Sequence, residues 1–424
     1  MSDFKKSIPM KKLILDNGLQ VVLVKRKEHS VVTVHLAYKV GSKNENSRRT
    51  GMAHLFEHLM FEGTKNVKKG EFDKYCSSAG GTNNAYTTYD LTAYYMTLPA
   101  HQLELGLWLE SDRLKNFHVL SHALENQKKV VVEEIKQNVE EQPYGSWHDK
   151  LSKAAYSNRS SYSWEVYGSK EHVQSVTLGE AREFHNIHYK PDNACLVICG
   201  NINNDSEEKI KKYFSNIEPS HKAKPEVSFK NSFRLGKKHV SYKDNVPLPA
   251  VFAAFHCEGF LDNEIFITDT LSNIIGSGRS SRLYKSLIQQ KKIASQAGAY
   301  IEQREHSSLL ICYAFASNPK ITAEMLYEGI IGETEKVRIK GASGKELQKS
   351  KNQVRTQFAN ELQYSQGIAD IVATQALFWN EPERFYSLLD LYNKPGIDDI
   401  NSVSSRIFDL QNSVRVDVIP AKGK

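Results

Sequence analysis

Gly51-Met52-Ala53-His54-Leu55-Phe56-Glu57-His58-Leu59-Met60-Phe61-Glu62-Gly63-Thr64 carries an H-x-x-E-H pattern, His54 to His58, in an apolar frame. Histidines four apart share one helix face, their Cβ atoms about 5–6 Å apart. Both rings can therefore reach one metal ion at about 2.0–2.1 Å. Glu57, three after His54, lies on nearly the same face, beside such an ion rather than opposite it. Zinc takes neutral imidazoles and leaves a position for water, whose proton a nearby carboxylate can accept. The stretch thus predicts a hydrolytic zinc site. The same spacing also arises on solvated helices. Here Met52, Leu55, Phe56, Leu59 and Met60 make the helix a mostly buried one, and its buried polar side chains need partners that a metal supplies. Thr50 is expected to cap the helix N-terminus and Gly63 to stop it.

A catalytic zinc wants a third protein ligand besides water. The helical pattern Leu120 to Glu141 offers Glu133 and Glu134 at the end of the apolar run Val130-Val131-Val132. Consecutive helical residues point about 100° apart, so only one can share the ion. Residue patterning leaves the choice open. Glu140 and Glu141, just before Pro143, are expected to face water. A purely structural zinc would need a fourth side-chain ligand, and no cysteine falls near the motif.

The 424 residues exceed one ordinary core, so two domains are expected. With 40% hydrophobic and 25% charged residues the composition is globular. The net charge of +7 comes from lysines scattered among acids, without a basic run interleaved with aromatics, so no nucleic acid is expected as a partner. The five cysteines form no C-x-x-C pair; Cys195 and Cys199, four apart on an apparent strand, stand about 13 Å apart, too far for a disulfide. That usage, with no apolar run of membrane-spanning length and no signal-like N-terminus, leads to an expected cytoplasmic location.

Outward from the motif, Leu13-Ile14-Leu15, an Asp16-Asn17-Gly18 turn and Leu19 to Val24 predict a hairpin. Val31–Val40, Ala85–Tyr89, Leu91–Leu98 and Ala194–Cys199 read as strands, among helical patterns such as Leu103–Arg113. Residues 216–238, with Pro219, Pro225 and a cluster of Lys and Arg, break all periodicity. A second set of elements follows. Shifting by 223 residues aligns Leu103–Lys136 with Leu326–Ala359 without a gap, with identities Leu103/Leu326, Gly106/Gly329, Glu110/Glu333, Leu124/Leu347, Lys128/Lys351 and Val131/Val354. Glu134 then faces Gln357, and the second copy has no H-x-x-E-H. The expected fold is α+β: two homologous halves, each a mainly antiparallel sheet with helices packed on one face. The expected division is 1–218 for the metal-binding domain, 219–238 for the linker and 239–424 for the copy without metal.

At this point the chain resembles the pitrilysin and mitochondrial-processing-peptidase metallopeptidases, inverted zincins in which a glutamate follows H-x-x-E-H after about 75 residues. Glu134 lies 76 residues after His58. The whole Gly51–Thr64 stretch, Gly80-Gly81-Thr82-Asn83-Asn84-Ala85-Tyr86-Thr87, and Val130-Val131-Val132-Glu133-Glu134-Ile135-Lys136-Gln137 with Pro143-Tyr144-Gly145 carry the likeness over nearly the full chain. It implies a zinc endopeptidase with His54, His58 and Glu134 as ligands and Glu57 as general base. It implies a substrate strand on which Asn84, Ala85 and Tyr86 bind an extended peptide. A supporting glutamate seven before the third ligand is Gln127 here. Active relatives also take an Arg and a Tyr, seven apart, from a C-terminal half; aligned on Leu287 these fall at Ile288 and Ser295. The resemblance therefore implies a heterodimer, a homologous subunit without zinc donating the pair and closing a chamber. The alternative is a catalytically weak assembly relative. The intact set of His54, Glu57, His58 and Glu134 argues against it.

Overall fold

The computed structural model describes residues 8–225, 227 and 236–421. Its contacts group into two compact units, each built on one sheet. In the first unit the hairpin forms as its turn chemistry dictates: β1 (Met10–Ile14) and β2 (Gln20–Lys25) pair antiparallel around Gly18, at φ +84°. With β3 (Val31–Tyr38), β4 (Thr82–Thr87), β5 (Thr92–Pro99) and β6 (Ala194–Gly200) they make a sheet of order β1-β2-β6-β3-β5-β4. Only β2 and β6 run parallel; the other pairs are antiparallel.

The second unit repeats this plan. Its strands are β7 (Lys238–Asp244), β8 (Ala250–Glu258), β9 (Ala294–Glu302), β10 (Ser307–Ala316) and β11 (Ser413–Pro420), in order β7-β11-β8-β10-β9. That is β2-β6-β3-β5-β4 again, strand for strand, and β7 with β11 is again the parallel pair. The helices at the 223-residue offset also correspond: Leu103–Asn116 with Ala323–Lys340, and Ser121–Ile135 with Gly344–Glu361. The aligned lysines do the same work. Lys128 donates to the Val176 carbonyl at 3.0 Å, and Lys351 to those of Asn393 and Pro395 at 2.6 and 2.7 Å. Each carbonyl lies just before a helix with a capped start, Leu178–His188 and Ile397–Ile407.

Both sheets have an additional cover taken from the other half of the sequence. The first unit includes Gln357–Leu388, and the second includes Glu134–Glu165. Ile368, Ala369, Val372 and Ala376 of the helix Ser365–Trp379 pack on Ala37, Ala93, Cys195 and Val197. In the second unit the helix Trp147–Ala155 lies on β7, β8 and β11, with Trp147 stacked on Phe252 at 3.8 Å. Helices on both faces explain why central strands such as Cys195-Leu196-Val197-Ile198-Cys199 read as unbroken apolar runs rather than alternating ones. The expected cut at 219–238 is continuous in sequence, whereas the contacts group segments from either side of it. Of the expected linker, residues 226 and 228–235 lie outside the described residues.

The expected helix Leu120–Glu141 is shorter: it ends at Ile135 and widens into π-helical turns over Lys136–Glu140. All five cysteines are free thiols and buried. Among the described residues no helix is long and apolar enough to cross a membrane.

Candidate metal centre

The motif folds as the helix Met52–Leu59, which buries Met52, Ala53, Leu55, Phe56 and Leu59. Its start differs from the sequence expectation. Thr50 does not cap it; the Thr50 hydroxyl instead meets His172 Nδ1 at 2.8 Å and accepts from the Ser169 amide at 3.1 Å. Gly51 is the N-cap, at φ +89°, and the Glu45 carboxylate accepts from the amides of Gly51 and Ala53, both at 2.8 Å. A carboxylate there also complements the positive end of the helix. Only glycine fits at 51, since a Cβ would stand 2.4 Å from the Tyr167 carbonyl oxygen. That close approach sets the Tyr167 ring edge-on to His54, centroids 4.7 Å apart. Below the helix, Phe56 stacks on Tyr189 at 5.1 Å, and the Tyr94 hydroxyl donates to the Phe56 carbonyl at 2.9 Å.

His54 and His58 lie one turn apart with ring centroids at 4.8 Å. Glu134, on the last turn of Ser121–Ile135, joins them: one ligand atom from each of His54, His58 and Glu134 lies within 4.8 Å of the others. Glu133 is exposed, so the structure brings only the second of the two neighbouring carboxylates to the histidines. Glu140 and Glu141 are exposed as expected. Two imidazoles and one carboxylate form a donor set that suits catalytic zinc, which keeps a fourth position open. His54 is buried, while His58, Glu134 and Glu57 are half-buried, as a site reached by water and substrate requires.

Glu57 accepts a hydrogen bond from the Thr87 hydroxyl, Oγ1 to Oε2, at 2.6 Å. Thr87 closes β4, the end strand of the first sheet among the described residues. Of the expected substrate residues, Asn84 is exposed on that strand and Ala85 is buried. The side chain of Tyr86 is already engaged: its hydroxyl donates to Asp370 on the helix Ser365–Trp379. Gln127 donates to Glu62 at 2.5 Å, and Lys69 reaches the same carboxylate at 2.6 Å. Gln127 thus braces Glu62 at the end of the motif stretch. In the second unit, Ile288 packs against the apolar core and the Ser295 hydroxyl donates to the Ala316 carbonyl at 3.0 Å. Arg282 grips Glu346 through two nitrogens, at 2.7 and 2.9 Å, a structural role.

Sequence reasoning missed Glu45, Tyr167 and Thr87. Period-two alternation from Ala85 could have placed Thr87 on the side of the motif helix; nothing local marks Glu45 or Tyr167.

A duplicated α+β fold holds H-x-x-E-H beside a distant glutamate. Residues 20–164 match the family described as "Insulinase (Peptidase family M16)", and residues 175–354 that described as "Peptidase M16 inactive domain". His54, Glu57, His58 and Glu134 all fall in the first stretch. The chain is similar to "Zinc protease PqqE" of Helicobacter pylori, 32% identical over 363 residues, 85% of this chain and 81% of the relative. It is 24% identical over 377 residues to "Probable mitochondrial-processing peptidase subunit beta" of Schizosaccharomyces pombe, 86% of this chain and 81% of the relative. Among solved structures, that of a protease from Helicobacter pylori superposes with a TM-score of 0.92 at 29% identity, over 97% of this chain and 100% of the other. The chain belongs to the M16 peptidase family.

Proposed function

We propose that this protein is a zinc-dependent endopeptidase that hydrolyses extended or unfolded peptides, with Glu57 as general base, acting with a homologous subunit. The observation that carries the reading is the meeting of His54, His58 and Glu134, with Glu57 on the same helix as the two histidines. When bound, zinc supplies a Lewis acid that acidifies water and polarises a peptide carbonyl. The chain's own residues do the rest. His54 and His58, as neutral imidazoles, would hold the metal together with Glu134. Glu57 accepts the proton of the attacking water and returns it to the leaving amine. The end strand β4 offers main-chain groups to an extended peptide as an added strand, binding it with little sequence preference. Asn84, Ala85 and Tyr86 take part through that backbone, the Tyr86 side chain being turned to Asp370.

The homologous subunit supplies the Arg and Tyr for which Ile288 and Ser295 stand here, and closes the chamber. Ile288 in an apolar core and Ser295 bonded to a carbonyl support this, since neither can grip a substrate. A relative named as a "subunit beta" agrees with it. The test is Glu57→Gln in the zinc-loaded chain, assayed alone and with its homologue on an unstructured peptide. The variant should retain zinc and lose about 10²–10⁴-fold in kcat, and the wild-type chain should need its homologue. Full turnover by Glu57→Gln ends the hydrolytic reading, and full activity of the lone chain ends the heterodimer.

A further inference from the structure

We propose that Thr87 is a positioning residue for the reaction: its hydroxyl holds the carboxylate of Glu57. This rests on Glu57 being the base. A general base acts only when its oxygen stands within hydrogen-bond reach of the proton it takes. A glutamate side chain has three rotatable bonds and settles only if something fixes its end. The Thr87 hydroxyl, 2.6 Å from Glu57 Oε2, is a short donor to that end.

Thr87 can serve this way because its own strand is fastened from behind. Successive side chains of a strand point to opposite faces. Thr87 faces the motif helix, and Tyr86 faces the helix Ser365–Trp379, where its hydroxyl donates to Asp370. The same carboxylate stands 3.3 Å from His35 Nε2, whose ring stacks on Tyr95 at 5.9 Å. Among the described residues β4 is paired on one side only, to β5, so its backbone ladder there is half that of a central strand. The Tyr86–Asp370 bond gives this strand a second fastening. Front and back fastening at adjacent residues therefore carries order from the helix Ser365–Trp379 to the base. Strand alternation marks the side Thr87 faces, but no local spacing marks its partners, because Glu57, Thr87 and Asp370 are far apart in the chain.

Thr87→Val keeps the branched shape and removes the hydroxyl, and Thr87→Ser keeps the hydroxyl. Both are to be compared as the zinc-loaded full chain with its homologous subunit on an unstructured peptide, and both crystallised in the zinc form. Thr87→Val should lower kcat about 10–100-fold, the usual loss when a partner of a metal-site group is removed, with KM and zinc content unchanged. Thr87→Ser should recover most of that rate, and Glu57 should be displaced in the Thr87→Val structure only. The proposal fails if Thr87→Val turns over like wild type, if Thr87→Ser is as slow as Thr87→Val, if KM alone rises, or if Glu57 keeps its place without the hydroxyl. An inactive wild type would remove the base role of Glu57. The position of Glu57 in the two variant structures would still decide whether Thr87 holds it.

Discussion

The two units share a strand order and a helix pair, yet among the described residues only one holds the H-x-x-E-H helix. In the first, the slot between β3 and β4 holds Met52–Leu59 with its two histidines and glutamate. In the second, the slot between β8 and β9 holds Ile265–Gly276, which buries Ile265, Phe266, Leu271, Ile274 and Ile275 and has no histidine. The scaffold is thus indifferent to the chemistry mounted on it. Glu110 and Arg113 of the first unit pair at i, i+3, and so do Glu333 and Lys336 of the second. The first pair is fully buried, with the guanidinium 4.4 Å from the Phe72 ring and 4.5 Å from that of Tyr94. In the second pair the Lys336 side chain is 57% exposed. One duplicated contact has become core in one copy and surface in the other.

The sharpest way to break the comparison is to remove the metal ligands. His58→Ala should abolish zinc binding and peptidase activity; zinc retained at one equivalent would show the ligand set misassigned. Next comes the duplicated ion pair. Glu110→Ala leaves Arg113 buried without its carboxylate and should cost about 3–5 kcal/mol. Glu333→Ala breaks a pair whose lysine is already solvated and should cost about 1 kcal/mol or less. Urea midpoints of the two variants measure this, and equal losses would show that the copies are not differentiated there.

A further comparison concerns pH. His185 packs on Phe56 beneath the motif helix, and burial holds its pKa down to about 3. The unfolded chain binds a proton at this residue below about pH 6.5 and the folded chain does not. Stability from His185 is therefore complete above pH 6.5 and drains away as pH falls toward 3, by about 2 kcal/mol at pH 5. His148 of the second unit has the opposite sign. Glu165 and Glu302, at 2.6 and 2.5 Å, outweigh its burial and raise its pKa to about 10. Its contribution is complete below pH 6.5 and fades as pH rises toward 10. His185→Phe should flatten the acid limb of the stability profile, and His148→Gln the alkaline limb. Unchanged limbs would remove these histidines from the account.

Much of the fold and site was legible from local spacing. The hairpin around Asp16-Asn17-Gly18, the motif helix and the 223-residue repeat follow from turn chemistry, helical period and matched side chains. These depend on neighbours a few residues apart, or on a pattern that recurs. The choice of Glu134 over Glu133 needed more: residue patterning left it open, the family likeness pointed to Glu134, and the structure places that carboxylate beside the histidines. Thr50 was misread as a cap because a threonine before a helix is the usual one, whereas Glu45 reaches both amides from six residues upstream of Gly51.

By itself the sequence determined that one half holds the elements of a hydrolytic zinc site on a duplicated scaffold, because ligand spacing on a helix is a local property. Only the tertiary structure decided that Thr87 meets Glu57, that Tyr86 is tied to Asp370, and that each sheet takes a covering helix from the other half of the chain. Those contacts join residues 30 to more than 200 positions apart. What places them together is strand register and the burial of two-faced sheets, which no short stretch encodes.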